Sequence, residues 1–189
     1  MKTKPLISLV SLFALVLLLG PSAGAQAPTG APSEQAARFV QKFYDGYLAK
    51  LKASMNKSHA VSPFELTLKE KAADFSPDLL KALKDDLEAA KKVPDEIVGL
   101  DFDPFLNSQD MGEKYVVGGV TQKGDRYWVE VFGYWEKKKS AKPDVTPEVA
   151  FQNGRWVFTN FHYSASNIPV NENLLSILQQ LKNDRNKKP

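Results

Sequence analysis

Two adjacent residues, Asn153 and Gly154, restrict this chain more than any others. They separate two runs rich in β-branched and aromatic side chains, residues 145–152 and 155–163. An Asn-Gly pair in that setting is the strongest short-range sign of a two-residue β-hairpin, because both turn positions require positive φ and these two residue types tolerate it. A loop that short also fixes the register. Gln152 then faces Arg155, Phe151 faces Trp156, Ala150 faces Val157 and Val149 faces Phe158. Strict alternation puts Val149, Phe151, Trp156, Phe158, Asn160 and His162 on one face. The other face carries Ala150, Val157, Thr159, Phe161 and Tyr163.

Two earlier runs, Tyr115 to Val120 and Tyr127 to Trp135, have the same character and are joined through Lys123-Gly124-Asp125, a second hairpin. Upstream of Pro94 the apolar period is that of a helix. Ala36, Phe39, Val40, Phe43, Tyr44, Tyr47, Leu48 and Leu51 recur at spacings of three and four, with Ser33 as the expected N-cap. A stripe that thick and aromatic is expected to lie along a sheet. Phe64 to Phe75 permits a short helix. Ser76-Pro77 predicts a cap followed by proline at the first helical position, and Leu79, Leu80, Leu83, Leu87 and Ala90 continue that helix to Pro94. After Pro169, Asn171 is positioned to cap a last helix bearing Leu174, Leu175, Leu178 and Leu181. Helices followed by antiparallel strands predict an α+β fold, N-terminal helices on a four- to five-stranded antiparallel sheet with a C-terminal helix.

The first 25 residues read as an address. Lys2 and Lys4 precede an apolar run from Leu6 to Leu19, Gly20-Pro21 breaks it, and Ala23-Gly24-Ala25 supplies the small residues of a signal-peptidase site. The run is shorter than the roughly 20 residues that span hydrocarbon, so a cleaved secretory signal is expected and no stable membrane anchor after cleavage. Residues 26–32 form a lead-in, 33–182 one domain and 183–189 a polar tail. Loss of Lys2 and Lys4 takes Lys+Arg from 25 to 23 against 22 Asp+Glu, leaving +1 in place of +3. A chain so near neutrality has no global field for nucleic acid. With no cysteine, disulfide frameworks, Cys-zinc sites and a catalytic thiol are excluded, and a bacterial periplasm is the expected compartment.

Two strings, residues 102–110 (FDPFLNSQD) and 154–163 (GRWVFTNFHY), together with the early aromatic helix and the late Leu-rich one, resemble a family of secreted bacterial proteins of unknown function. That family belongs to the nuclear transport factor two-like superfamily, cystatin-like in outline. The resemblance covers roughly Phe39 to Leu181. It implies a strongly curved antiparallel sheet wrapping helices around a cavity, and it brings over no catalytic residue. Similar cones hold isomerases, dehydratases, ligand binders and dimerising partners, so the fold alone does not select a function.

Candidate chemistry is sparse. If Trp156 and Phe158 face the core, alternation sets Asn160 and His162 on the same face nearer an open end, where they would orient a small apolar or amphipathic ligand; otherwise they bond nearby backbone. Glu130 lies between Trp128 and Phe132 with Tyr134 beyond, either a carboxyl raised by aromatic neighbours or a solvent-facing one; Val129 and Val131 compete for the inner face. Asp101, Asp103, Asn107 and Asp110 invite a calcium loop, but Leu106 stands where the glycine is required and Gly112 where the closing Glu is. Asp103-Pro104 then reads as a turn, with Phe102, Phe105 and Leu106 plugging the core. Lys137, Lys138, Lys139 and Lys142 read as a solvated basic connection, and Lys182, Arg185, Lys187 and Lys188 as a soluble tail. His59 sits in a polar loop.

No nucleophile-plus-base set assembles, and no metal, cofactor or phosphate-binding motif is present. The expectation is a binding protein holding a ligand in the concave sheet face. A protein-interaction module, homodimer or inhibitor, would instead use Phe161, Tyr163 and Tyr134 on the outer face. A small enzyme built on Glu130 or His162 is the third expectation.

Overall fold

The computed structural model describes residues 30–55, 61–93, 98–164 and 173–187. The expected leader, His59, Pro169 and Asn171 lie outside the described residues. Helix α1 (Pro32–Ser54) starts at Pro32 rather than at Ser33, with Ala31 in the cap position. Proline at the first helical position loses no hydrogen bond, since that amide has no helical acceptor. Helix α2 (Pro63–Glu70) is two turns long and passes through a 3₁₀ turn, Ala72–Asp74. Helix α3 (Pro77–Lys92) begins where Ser76-Pro77 predicts, the Ser76 hydroxyl accepting the Leu79 amide at 3.4 Å.

The strands are β1 (Lys114–Lys123), β2 (Arg126–Trp135), β3 (Lys138–Lys139), β4 (Val145–Gln152) and β5 (Arg155–Tyr163). They form one antiparallel sheet in the order β1-β2-β4-β5, with β3 paired on β2. The fold is α+β, as the change of period predicts. Asn153 and Gly154 take φ of 50° and 78°, and the four pairings from Gln152↔Arg155 to Val149↔Phe158 are those the turn dictates. The lysine connection is a tight hairpin turning through Glu136 and Lys137, with Lys138 and Lys139 in the ladder.

Helix α4 (Leu174–Lys187) extends past the expected tail boundary. Arg185 accounts for the extra turn. It donates to Val98 O at 2.8 Å and pairs with Asp86, which is buried on α3 and also accepts the Leu100 amide at 2.9 Å. A buried carboxylate is tolerated only when charge and hydrogen bonds meet it, and this one has both.

The core lies between the sheet and the helices. Tyr127, Val129, Val131, Val145, Val149 and Phe158 from the strands meet Val40, Phe43, Tyr44 and Tyr47 of α1. Val129 and Val131 take the inner face of β2, which settles the competition with Glu130.

Candidate functional site

The hairpin register holds only to Val149. There β5 carries an extra residue: Val149 pairs with Phe158 but Glu148 with Asn160, leaving Thr159 without a ladder partner. A bulge of this kind inverts the facing of every residue beyond it. Phe158 stays inward and Phe161 joins it, their rings 5.1 Å apart and both inaccessible to solvent. His162 swings to the outer face. The expected line Phe158–Asn160–His162 along one face is therefore broken.

The inner surface expected to hold a ligand is filled. Phe158 packs on Phe43 at 4.6 Å, Phe39 at 4.8 Å and Phe75 at 5.6 Å between ring centroids. Trp156, half-buried, meets Tyr127 and Phe151 edge-on and directs its indole N–H at Gln35 Oε1, 3.4 Å away. Asn160 works locally: its Oδ1 accepts the Phe161 amide at 2.9 Å and the Leu175 amide at 3.2 Å, and its Nδ2 donates to Asn173 Oδ1 at 2.9 Å. Asn173 in turn accepts the Ser176 amide at 3.1 Å, so Asn160 orients the cap of α4.

On the outer face His162 stacks on Trp128, centroids 3.9 Å apart, with Nε2 3.0 Å from Glu148 Oε2. Glu148 Oε1 accepts the Thr159 hydroxyl at 2.7 Å and Arg126 at 3.0 Å. The His162 hydrogen bond, with Thr159 and Arg126, holds the Glu148 carboxyl below its usual range despite partial burial. Glu148, Arg126 and Trp128 were not singled out by sequence, because only the bulge brings them to His162. None of the cavities described below includes this cluster. Glu130 on β2 faces the β1 bulge, its Oε2 accepting the Gly119 amide at 3.2 Å. A Cβ on Gly118 would come within 2.5 Å of the Phe132 ring, so glycine is required where that ring crosses the bulge. Lysines cover the outer aromatics: Lys123 over Trp128 at 3.5 Å, Lys139 over Phe132 at 3.8 Å and Lys114 over Tyr134 at 4.1 Å. Of the three aromatics expected on an outer docking face, Phe161 is in the core and Tyr163 points its hydroxyl to Pro104 O at 2.9 Å.

The segment around Asp103-Pro104-Phe105 is a plug bolted in place. Phe105 is fully buried against Phe43, Tyr47, Phe64, Phe75 and Phe161. Three tyrosine hydroxyls close on its backbone and turn: Tyr44 to Phe105 O at 2.7 Å, Tyr163 to Pro104 O, and Tyr47 to Asp103 Oδ2. Asp103 Oδ1 accepts the Phe105 amide at 2.9 Å. Burial pushes the Asp103 carboxyl up to about 6, outweighing these donors. Burial, reinforced by Asp103, raises the Tyr47 hydroxyl. Asp110 lies exposed beyond the turn, its amide bonded to Ser108 Oγ at 3.1 Å, while Asp103 is half-buried.

A different place is open. Between α1 and the α2–3₁₀ segment lies a groove of about 450 Å³, within the size range of small-molecule sites. Phe39, Phe43 and Tyr47 give it an aromatic floor, and Gly46 forms its lip, where an added Cβ would meet nothing within 4 Å. Thr67, 2% exposed, lines the opposite wall, and its hydroxyl has no hydrogen-bond partner among the described residues. Clefts of about 480 Å³ beside Phe102 and about 620 Å³ between α3 and α4 also exist. Among the described residues Thr67 Oγ1 is the one buried side-chain polar atom left unpaired, closed to solvent within a residue of the α1–α2 groove wall. The sequence signal was Gly46 itself, a poor helix former in the middle of a strong helix.

No family model, curated protein or solved structure matches this chain.

Proposed function

We propose that the chain is a secreted binding protein whose ligand, a small amphipathic molecule, lies in the groove between α1 and α2 rather than in the concave sheet face. The observation that carries this is the open groove itself, with Phe39, Phe43 and Tyr47 along one side and Thr67 on the opposite wall. Gly46 supports the same conclusion. Glycine in a helix interior is about 0.5–1 kcal/mol worse than alanine, and the space above it is free, so nothing in the packing of the unliganded chain requires it.

Catalysis is not part of the proposal. The groove has no nucleophile beside a base, and the His162–Glu148 pair lies on the other side of the sheet from it. Secretion rests on the N-terminal leader pattern.

Native mass spectrometry of the protein, purified gently from the cells that make it, tests the binding role. The expected result is a non-protein mass that is lost on denaturation and is absent from Gly46→Leu, whose added side chain starts at the groove's lip. A clean unliganded mass under the same conditions would count against a resident ligand.

A further inference from the structure

The hairpin tip that sets the register of β4 and β5 also holds the least shielded asparagine among the described residues. Closure of an asparagine side chain onto the next backbone nitrogen needs a free carboxamide, an uncrowded nitrogen and backbone able to leave its resting conformation. The asparagines meet these conditions unequally. Asn160 is buried with both side-chain atoms bonded, and Asn173 accepts from Asn160 and Ser176. Asn107 donates to Asp144 O at 3.2 Å and is followed by Ser108. Asn183 accepts from Gln179 at 2.9 Å inside α4, and Asn186 is held in the same helix ahead of Lys187. Asn153 is exposed, its carboxamide makes no hydrogen bond among the described residues, and glycine follows it. A Cβ on Gly154 would meet nothing within 4 Å, so no neighbouring atom crowds that side of the residue.

We infer that Asn153 is a modification site, at which the chain deamidates through a cyclic imide without an enzyme. The Gly154 nitrogen gives its proton to base and bonds to Asn153 Cγ. The Cγ–Nδ2 bond breaks, and Nδ2 takes up a proton and leaves as ammonia. Water then opens the ring on either side. Cleavage between Cγ and nitrogen leaves aspartate. Cleavage at the main-chain carbonyl leaves isoaspartate, whose backbone runs through the side-chain carbons. Each product carries one new negative charge. The missing side chain of Gly154 allows the close approach, and an exposed loop tip opens at little cost. The two products differ in consequence. Asp-Gly serves the same left-handed turn as Asn-Gly. Isoaspartate adds a methylene to a two-residue loop and displaces the Gln152↔Arg155 pairing at the start of the ladder.

The test ages the full chain in mildly alkaline buffer, folded and in urea, and reads each asparagine by peptide mass spectrometry with fragmentation that separates the two isomers. The expected result is a gain of one mass unit at Asn153 ahead of every other asparagine, as a mixture of both isomers. The folded chain should react within about tenfold of the rate in urea, as a tip that opens locally does. The isoaspartyl fraction should unfold at lower denaturant than the parent, and Asn153→Asp at the parent's midpoint. Gly154→Ala, followed in urea where its φ no longer matters, should slow the conversion. Earlier conversion of another asparagine, or a folded chain slower than that tenfold margin, would overturn the site. Aspartate as the sole product, or no slowing in Gly154→Ala, would overturn the imide route.

Discussion

The aromatic stripe of α1 serves two regions that treat polar groups in opposite ways. Around Tyr44 and Tyr47 it meets the Asp103–Phe105 turn, where three hydroxyls, a carboxylate and the turn's backbone are all bonded to one another. Around Phe39, Phe43 and Gly46 it lines the α1–α2 groove, where a buried hydroxyl has no partner and a glycine faces open space. The turn is finished by the chain itself; the groove is left open, with a buried hydroxyl unpaired behind its wall. A polar group that the fold satisfies is evidence of architecture, and one that it leaves unsatisfied calls for an explanation.

If that contrast holds, substitutions in the turn destabilise and substitutions in the groove do not. The largest effect is expected for Phe105→Ala. It removes a fully buried ring packed on five aromatic neighbours and should lower unfolding free energy by about 3–5 kcal/mol in urea titration. An effect below about 1 kcal/mol would mean the plug is not part of the core.

The second prediction is a pH profile. Asp103 has a carboxyl pKa of about 6 in the fold against 3.8 ordinarily. Between those values the folded chain holds a proton the unfolded chain has released, so its contribution to stability falls as pH rises through that window and levels off above it. The expected loss is about 3 kcal/mol, and Asp103→Asn should remove this slope. Glu148 runs the other way. Its carboxyl is lowered in the fold, so it adds stability above the ordinary glutamate range that is lost as pH falls through the folded value. Glu148→Gln should therefore flatten the acid side and leave the Asp103 window intact. Denaturant midpoints from pH 3 to 8 check both signs.

In the groove, Thr67→Val keeps the shape and removes the unpaired hydroxyl. It should leave the unliganded chain unchanged or more stable by up to about 1 kcal/mol, and a loss of that size instead would show that the hydroxyl has a partner. Gly46→Ala is the smallest expected change, a gain of about 0.5–1 kcal/mol in thermal or urea unfolding.

The hairpin register, the α+β class, the cap at Ser76 and the plug at Phe105 were all legible in sequence, because turn chemistry and apolar period are local. The facing of Asn160 and His162 was not, since a bulge at Thr159 is a non-local compromise between β4 and β5 that alternation does not encode. Phe161 and Tyr163 were misassigned to the outer face for the same reason, and Arg126, Trp128 and Glu148 were overlooked. Arg185 was read as tail because its partner Asp86 lies 99 residues away along the chain. The groove escaped because Thr67 and Gly46 come together only when α1 and α2 pack.

Gly46→Leu tests the central claim most directly, because it adds bulk at the groove's lip from a position where a Cβ meets no atom within 4 Å. Unfolding free energy and the bound non-protein mass are measured on the same preparation. The account predicts a chain at least as stable as the parent that no longer carries that mass. A stable Gly46→Leu chain that carries it as the parent does would contradict it.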